Sequence, residues 1–535
     1  MAGRRHGGKG VGTIAEAART PACATTSGLK AIGMIVVLAL PAIGGDSRCA
    51  DCHAKEVQGY RQSAMAHSLS EATPQPEGSF EHALSKTRFT VLSNSSGVLQ
   101  RFERDGESGE QRVAYVIGSG AHAFGYLVRI GDHLFQSPLS FYTNRRLWDV
   151  APGYEESHHP DFSRPVTPEC LLCHSGKPQP VPDTLNRYQT PAFLTESISC
   201  DRCHGPGELH AKNPVPGSIL NPAKLRGAAR DSICEQCHLA GEVRIPNPGK
   251  RMADFQPGQT IENSYTVYVA AQPAGKTLKV VSHAEQLALS VCARSSGGKL
   301  WCGSCHNPHE KPADAAAYFR ERCLNCHGAT LEKSHAASGR DCVACHMPRL
   351  AARDGGHTVF TDHRIARRPE PWNEPVQPED LAAWRDPEPR LRQRNLALAL
   401  VSVGLQNKSS PEAIRGYRML NQVEKEFPDD PDVLTTLGGV LLRGKQPVEA
   451  LRRFERVLVL RPAYAPYEVS AASALIAAGR KSDAIRHLER ALQLDPLLQQ
   501  AVELLSRLYG DEGESAKAAG IVAQYRREMG FAAAR

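Results

Sequence analysis

The strongest constraint on this chain is the pattern Cys-x-x-Cys-His, which occurs seven times. The copies are Cys49/Cys52/His53, Cys170/Cys173/His174, Cys200/Cys203/His204, Cys234/Cys237/His238, Cys302/Cys305/His306, Cys323/Cys326/His327 and Cys342/Cys345/His346. The pattern is the attachment signature of c-type haem: two cysteines form thioethers to the porphyrin vinyls, and the adjoining histidine binds iron from the proximal side. Zinc ribbons and thioredoxin-type centres also use paired cysteines. Zinc, however, needs no histidine after every second cysteine, and seven half-sites do not pair into four-ligand sites. Only Cys23 and Cys292 of the 16 cysteines lie outside the motifs, too few for a disulfide framework. Seven covalent haems c are expected.

The compartment follows from the same chemistry. Arg4, Arg5, Lys9, Arg19 and Lys30 form a basic leader, Ala31 to Leu40 is apolar, and Pro41, Ala42 and Gly44 offer small residues for cleavage, which reads as an export signal over 1–44. The apolar run is short for a bilayer span, so no transmembrane segment is expected after cleavage; an uncleaved N-terminal anchor is the alternative. Haem attachment to this motif takes place outside the cytoplasm, so a periplasmic or otherwise exported protein is expected. The formal charge is +7, and the leader carries five of the cations. Haem propionates would make the mature protein acidic, which removes the electrostatic motive for binding nucleic acid.

Along the chain, KEVQGYRQSAMAHSL follows the first motif as a helix. It brings His67, or as second choice Met65, near the haem carried by His53. From Thr87 to Thr143, runs rich in Val, Phe, Tyr and Thr are broken at Ser95/Ser96/Gly97, Asp105/Gly106 and Gly131/Asp132, the signature of an antiparallel meander. Trp148 to Gln256 is rich in Pro and Gly, and its short helices would be held by the cofactor more than by their own propensity. A short hairpin is expected between Gln256 and Val281. Residues 366–389 have the proline and charge content of a linker. Beyond them Pro428, Pro462 and Pro496 recur every 34 residues, with Ala450/Ala484 and Phe454/Leu488 at the same period. That is the tetratricopeptide period, about three and a half two-helix units from Arg390 onward.

Seven proximal histidines leave seven distal positions. His67, His210, His283, His309, His335, His357 and His363 stand in haem-adjacent contexts and form a set of distal candidates, with His122, His133, His158 and His159 in reserve.

The stretches CHGPGELH, SHAEQLALSVCARSSGGKLWCGSCHNPH and SHAASGRDCVACHMP resemble the multihaem cytochrome c superfamily of ammonia-oxidiser tetrahaem cytochromes, pentahaem nitrite reductases and octahaem hydroxylamine oxidoreductases. With the C-terminal repeats, the chain is similar to bacterial multihaem cytochromes carrying tetratricopeptide arrays. The likeness covers about residues 49 to 365. It implies that His210 and His309, in the GPG-x-x-H and C-x-x-C-H-x-P-H contexts, bind neighbouring haems from the distal side. The Cys-x-x-Cys-Lys haem common in nitrite reductases is absent, and no tyrosine matches the cross-linked one of hydroxylamine oxidoreductases, so no catalytic residue is assigned.

The expected fold class is multidomain. A mainly α, low-secondary-structure multihaem cytochrome c domain (45–365, with a small β-meander insert at about 87–143) precedes a linker (366–389) and an α-solenoid of tetratricopeptide repeats (390–535). The expected function is electron transfer through seven mostly bis-His haems, with the repeats docking a redox partner protein. The alternative is a reductase or oxidase of a small nitrogen or sulfur oxyanion at one five-coordinate haem.

Overall fold

A computed structural model describes residues 47–271, 278–334, 341–367 and 380–533. The export-signal assignment over 1–44 and His335 lie outside the described residues.

The expectation of a mainly α N-terminal part with a small β insert is overturned. Its organising element is a ten-stranded antiparallel sheet that curls into a nearly closed barrel. Strands Gly78–His82, Thr87–Asn94, Gly97–Arg104, Glu107–Ile117, Phe124–Ile130, His133–Tyr142 and Leu147–Val150 follow one another in space as in sequence. Closure comes from the end strands. The Trp148 indole donates to the Pro76 carbonyl oxygen at 3.1 Å, and a Cβ on Gly78 would stand 2.7 Å from the Trp148 ring, so only glycine lets the two approach.

The strands form where alternating side chains bury one face. Phe89, Val91, Val98 and Phe102 from two strands meet Val113, Tyr126, Val128, Phe135 and Leu139 from the others, all nearly inaccessible. A core of this size is a folding unit in its own right, which is why the segment is more than an insert.

The motif segments form helices: Pro168–Leu171, Asp201–His204, Gly227–His238, Cys302–Cys305, Ala315–Ser334, kinked at Gly328, and Cys342–His346. A three-stranded sheet of Val243–Pro246, Tyr265–Ala270 and Leu381–Ala383 stands between them and the repeats, so part of the proline-rich 366–389 segment is a paired strand.

The C-terminal region is an array of eight helices in four successive pairs, from Arg392–Gln406 and Ser410–Glu426 to Gln499–Asp511 and Ser515–Glu528. Pro431 and Pro447 open helices where their missing N–H costs nothing. Gly438 lets Phe454 of the next helix approach to a distance that a Cβ would forbid. The array is fastened to the barrel along one edge. Leu497, Val502, Tyr525 and Met529 join the barrel core, and strand Phe531–Ala533 pairs with Glu107–Gly109. Polar contacts run beside them: His133 Nε2 to Asp495 at 3.0 Å, Arg461 to Asp183 at 2.7 Å, Arg526 to Glu107 at 3.1 Å.

Candidate cofactor site: histidines paired across segments

Each helical motif presents its two cysteines one turn apart, the geometry two thioethers to one porphyrin require. No disulfide joins any of the described cysteines. Cysteines of different motifs stand in contact: Cys173 beside Cys237, Cys234 beside Cys302, and Cys323 beside Cys342. These motifs are therefore packed against one another, not spread along the surface.

The enclosure of the motifs is not uniform. Cys52, Cys326 and Cys345 are exposed, whereas Cys49, Cys323 and Cys342, the first cysteines of the same motifs, are half-buried. A residue three positions along a helix is offset by about 60° around its axis, enough to turn the second sulfur outward when the first packs inward. Cys170 is exposed in the opposite sense, with its partner Cys173 turned inward. Among the proximal histidines His327 is exposed, as are His53, His238 and His306, but unlike those three it is faced by no histidine ring among the described residues. Its helix breaks directly behind it: Gly328 adopts φ 59° and ψ −176°, so the chain leaves the helical path before a second turn can cover the imidazole. The His327 motif thus stands at the rim of the cluster.

Four of the other proximal histidines, His53, His204, His238 and His306, meet histidines from other segments. His53 faces His210 with ring centroids 6.3 Å apart and planes 19° from parallel. His204 faces His309 at 5.9 Å and 23°, and His306 faces His363 at 6.2 Å and 31°. Two imidazoles bound through nitrogen on opposite sides of one iron, each at about 2 Å, place their centroids about 6 Å apart. His238 lies against His283 at 5.2 Å, edge to face, and His283 in turn against His363 at 4.9 Å.

Several of these rings are oriented by a bond from Nδ1–H. That of His204 donates to the Leu220 carbonyl at 2.8 Å, that of His363 to the Thr361 carbonyl at 2.9 Å, and that of His346 to the Ala366 carbonyl at 2.9 Å. The His210 Nδ1–H donates to Ser218 Oγ at 2.7 Å, whose own hydroxyl is directed to the Val215 carbonyl. In each case Nε2 is left as the lone-pair nitrogen, which is how metal-bound histidines are ordinarily held.

Burial keeps the enclosed imidazoles neutral. It lowers the pKa of His283 to about 3, helped by repulsion from His238, His363, His306 and His122, and that of His306 to about 4, helped by His363 and His238. Burial likewise lowers His238, His309 and His174.

The residues present therefore fit a planar cofactor that supplies its own equatorial donors and takes one imidazole on each face. Among the described residues, no group of three or more His, Cys, Asp and Glu side chains converges as a metal ion without such a cofactor would need.

Other distal candidates are placed elsewhere. His67 is exposed, and its Nε2 bonds the Arg61 carbonyl at 2.8 Å within its own turn; His210 takes the place opposite His53. His357 has both nitrogens engaged, Nδ1 accepting from Arg145 at 3.1 Å and Nε2 donating to Asp149 at 2.7 Å. Among the reserves, His133 is bound between Asp132 and Asp495, and His158 and His159 are exposed. His122 packs on Phe360, which also touches His283.

Sequence reasoning missed the carbonyls of Leu220, Thr361 and Ala366, since main-chain acceptors leave no residue signature. It also missed Gly59, whose Cβ would strike the His309 carbonyl oxygen; the glycine lets helix Ala54–Tyr60 lie directly against the loop carrying His309. A groove of 540 Å³ lined by Lys55, Gln62, Asn307, His309 and Lys311 runs along this contact.

No protein-family model matches the chain, and no curated protein does. Among solved structures it is similar to "MamA RS-1 ArsTM double mutant", at 21% identity over 26% of this chain and 75% of that one, with a TM-score of 0.24. It is also similar to "MamA MSR-1 C2", at 20% identity over 26% and 77% with a TM-score of 0.23, and to "Crystal structure of MamA", at 24% identity over 24% and 73% with a TM-score of 0.22. No helix among the described residues is long and apolar enough to cross a membrane.

Proposed function

We infer that this chain is an exported heptahaem c-type cytochrome that carries electrons. The observation that carries the reading is the set of three histidine pairs, His53/His210, His204/His309 and His306/His363, at centroid separations of 6.3, 5.9 and 6.2 Å. Haem c supplies one-electron redox chemistry at iron, with potentials set by ligand identity, burial and nearby charge.

The chain's own residues do the rest. The fourteen motif cysteines tether the cofactors, and the seven motif histidines bind from one side. His210, His309, His363 and His283 bind from the other, each supplied by a segment other than the one that tethers. Neutral imidazoles with oriented Nε2 lone pairs favour a filled sixth position, which suits electron transfer more than substrate binding at iron. The motifs of Cys52/His53 and Cys326/His327, each with its second cysteine and its histidine exposed, suit the places where electrons enter and leave, since transfer to a partner needs a cofactor edge near the surface.

The helical repeats are the part suited to hold a redox partner protein. Ile414 and Val448, at the same place in successive repeats, are exposed apolar side chains, as is Val459.

The test is the protein isolated after export from a host that attaches c-type haem. Its mass should carry seven covalent haems, and its electron paramagnetic resonance spectrum should show low-spin ferric haem throughout. A mass without haem would overturn the reading. A stoichiometric high-spin signal that binds nitrite or cyanide would replace it with an oxyanion reductase.

A further inference from the structure

Two buried donors near the middle of the motif cluster have no partner. Tyr265 is fully inaccessible and its Oη makes no hydrogen bond, and Arg202 Nε is likewise buried and unbonded. Buried polar groups are nearly always satisfied, so each orphan points to a missing acceptor.

A third group completes the set. Arg244 and Tyr265 lie on neighbouring antiparallel strands, with Arg244 opposite Val267 and Tyr265 opposite Pro246, so they are diagonal neighbours on one face. The guanidinium charges of Arg244 and Arg202 both act on the Tyr265 hydroxyl and on the Cys237 sulfur. Neither arginine forms an ion pair among the described residues. Arg202 donates through Nη2 to the Leu172 carbonyl at 3.1 Å, and Arg244 to the Leu239 carbonyl through Nε at 3.1 Å and through Nη2 at 2.5 Å. The two guanidinium groups are half-buried, and their partners are main-chain carbonyls and, for Arg244, the Cys173 sulfur, none of them a carboxylate, so an anion joining them would offset their desolvation.

We propose that Tyr265, Arg202 and Arg244 form a half-buried receptor for a carboxylate or similar small oxyanion beside Cys173 and Cys237. The Tyr265 hydroxyl and the Arg202 Nε–H donate to the anion's oxygens, and Arg244 balances its charge. This chemistry has two sources. One is a haem propionate, which rests on the cytochrome reading; because propionates sit on the porphyrin edge remote from the thioethers, it would belong to a haem neighbouring those on Cys173 and Cys237. The other is a free oxyanion from solution.

The experiment uses the full exported protein and its Tyr265→Phe and Arg244→Gln variants, with haem content measured first by mass. In the propionate case, Arg244→Gln lowers the midpoint potential of one haem in a spectroelectrochemical titration while all seven stay attached, and added sodium acetate or sulfite changes nothing. In the free-anion case, the unsubstituted protein binds one acetate or sulfite by calorimetry, and each variant weakens that binding about tenfold. If every haem keeps its potential in both variants and no anion binds to any of the three proteins, the proposal is overturned. If the mass shows no haem, the cytochrome reading fails by itself, and calorimetry on the same protein decides the receptor: acetate or sulfite binding weakened in both variants supports it, and no binding refutes it.

Discussion

His309 stands 5.9 Å from His204 in ring centroid, yet it lies three residues beyond His306, in the segment of a different motif. The same exchange joins His210, six residues after His204, to His53.

Replacing His210 by alanine should remove one sixth ligand and leave every thioether in place. One haem of seven is expected to turn high-spin in electron paramagnetic resonance, with the covalent mass changed only by the substitution. A wholly low-spin spectrum would show that His53 takes its partner elsewhere.

His67→Ala provides the contrast. Because its Nε2 is committed to the Arg61 carbonyl at 2.8 Å, the substitution should leave spin state and potentials as they were. A new high-spin haem in this variant would restore His67 as a ligand.

Gly59→Ala should be disruptive although the helix it sits in would accept alanine, since the added methyl meets the His309 carbonyl oxygen. A loss of about 1–3 kcal/mol is expected by denaturant titration. An unchanged midpoint would mean that the two segments separate freely.

Arg394 is wholly inaccessible, with Nε and Nη2 on Asp430 at 2.7 and 3.1 Å and Nη1 on the Pro246 carbonyl at 2.7 Å. Arg394→Leu leaves Asp430 buried without its cation and should cost about 3–5 kcal/mol. Equal stability of the variant in denaturant would refute this account of how the repeats join the three-stranded sheet.

Removing residues 529–535 should strip Met529 and Phe531 from the barrel core and unpair Glu107–Gly109. Amide exchange in 107–111 should then accelerate by orders of magnitude, while the motif segments keep their protection. Unchanged exchange there would mean that the C-terminal strand adds nothing.

His210 and His309 were legible in the sequence where much of the barrel was not. CHGPGELH and CHNPH gave His210 and His309 directly, because a short spacing from a motif is a local property. The 34-residue proline period likewise exposed the helical repeats. The barrel was underestimated for the opposite reason: Gly78–His82 and Leu147–Val150 are short, and Phe531–Ala533 pairs with a strand some four hundred residues earlier. Nothing local marks such pairing. His357 misled because its partners, Arg145 and Asp149, are equally remote. Identical motifs also concealed unequal surroundings: the spacing at Cys323/Cys326/His327 matches that at Cys302/Cys305/His306, yet His306 meets His363 while no histidine ring among the described residues faces His327. Tyr265 and Arg244 carry no motif at all and became visible only through their strand register.

The exchange of histidines between segments also bears on how such a molecule is made. If the chain is exported N-terminus first, His53 emerges well before His210, and His204 well before His309, so neither pair closes when its own motif emerges. Each must wait for a later stretch, so on the cytochrome reading a truncated chain would leave an earlier site incomplete even where that site's own motif is intact.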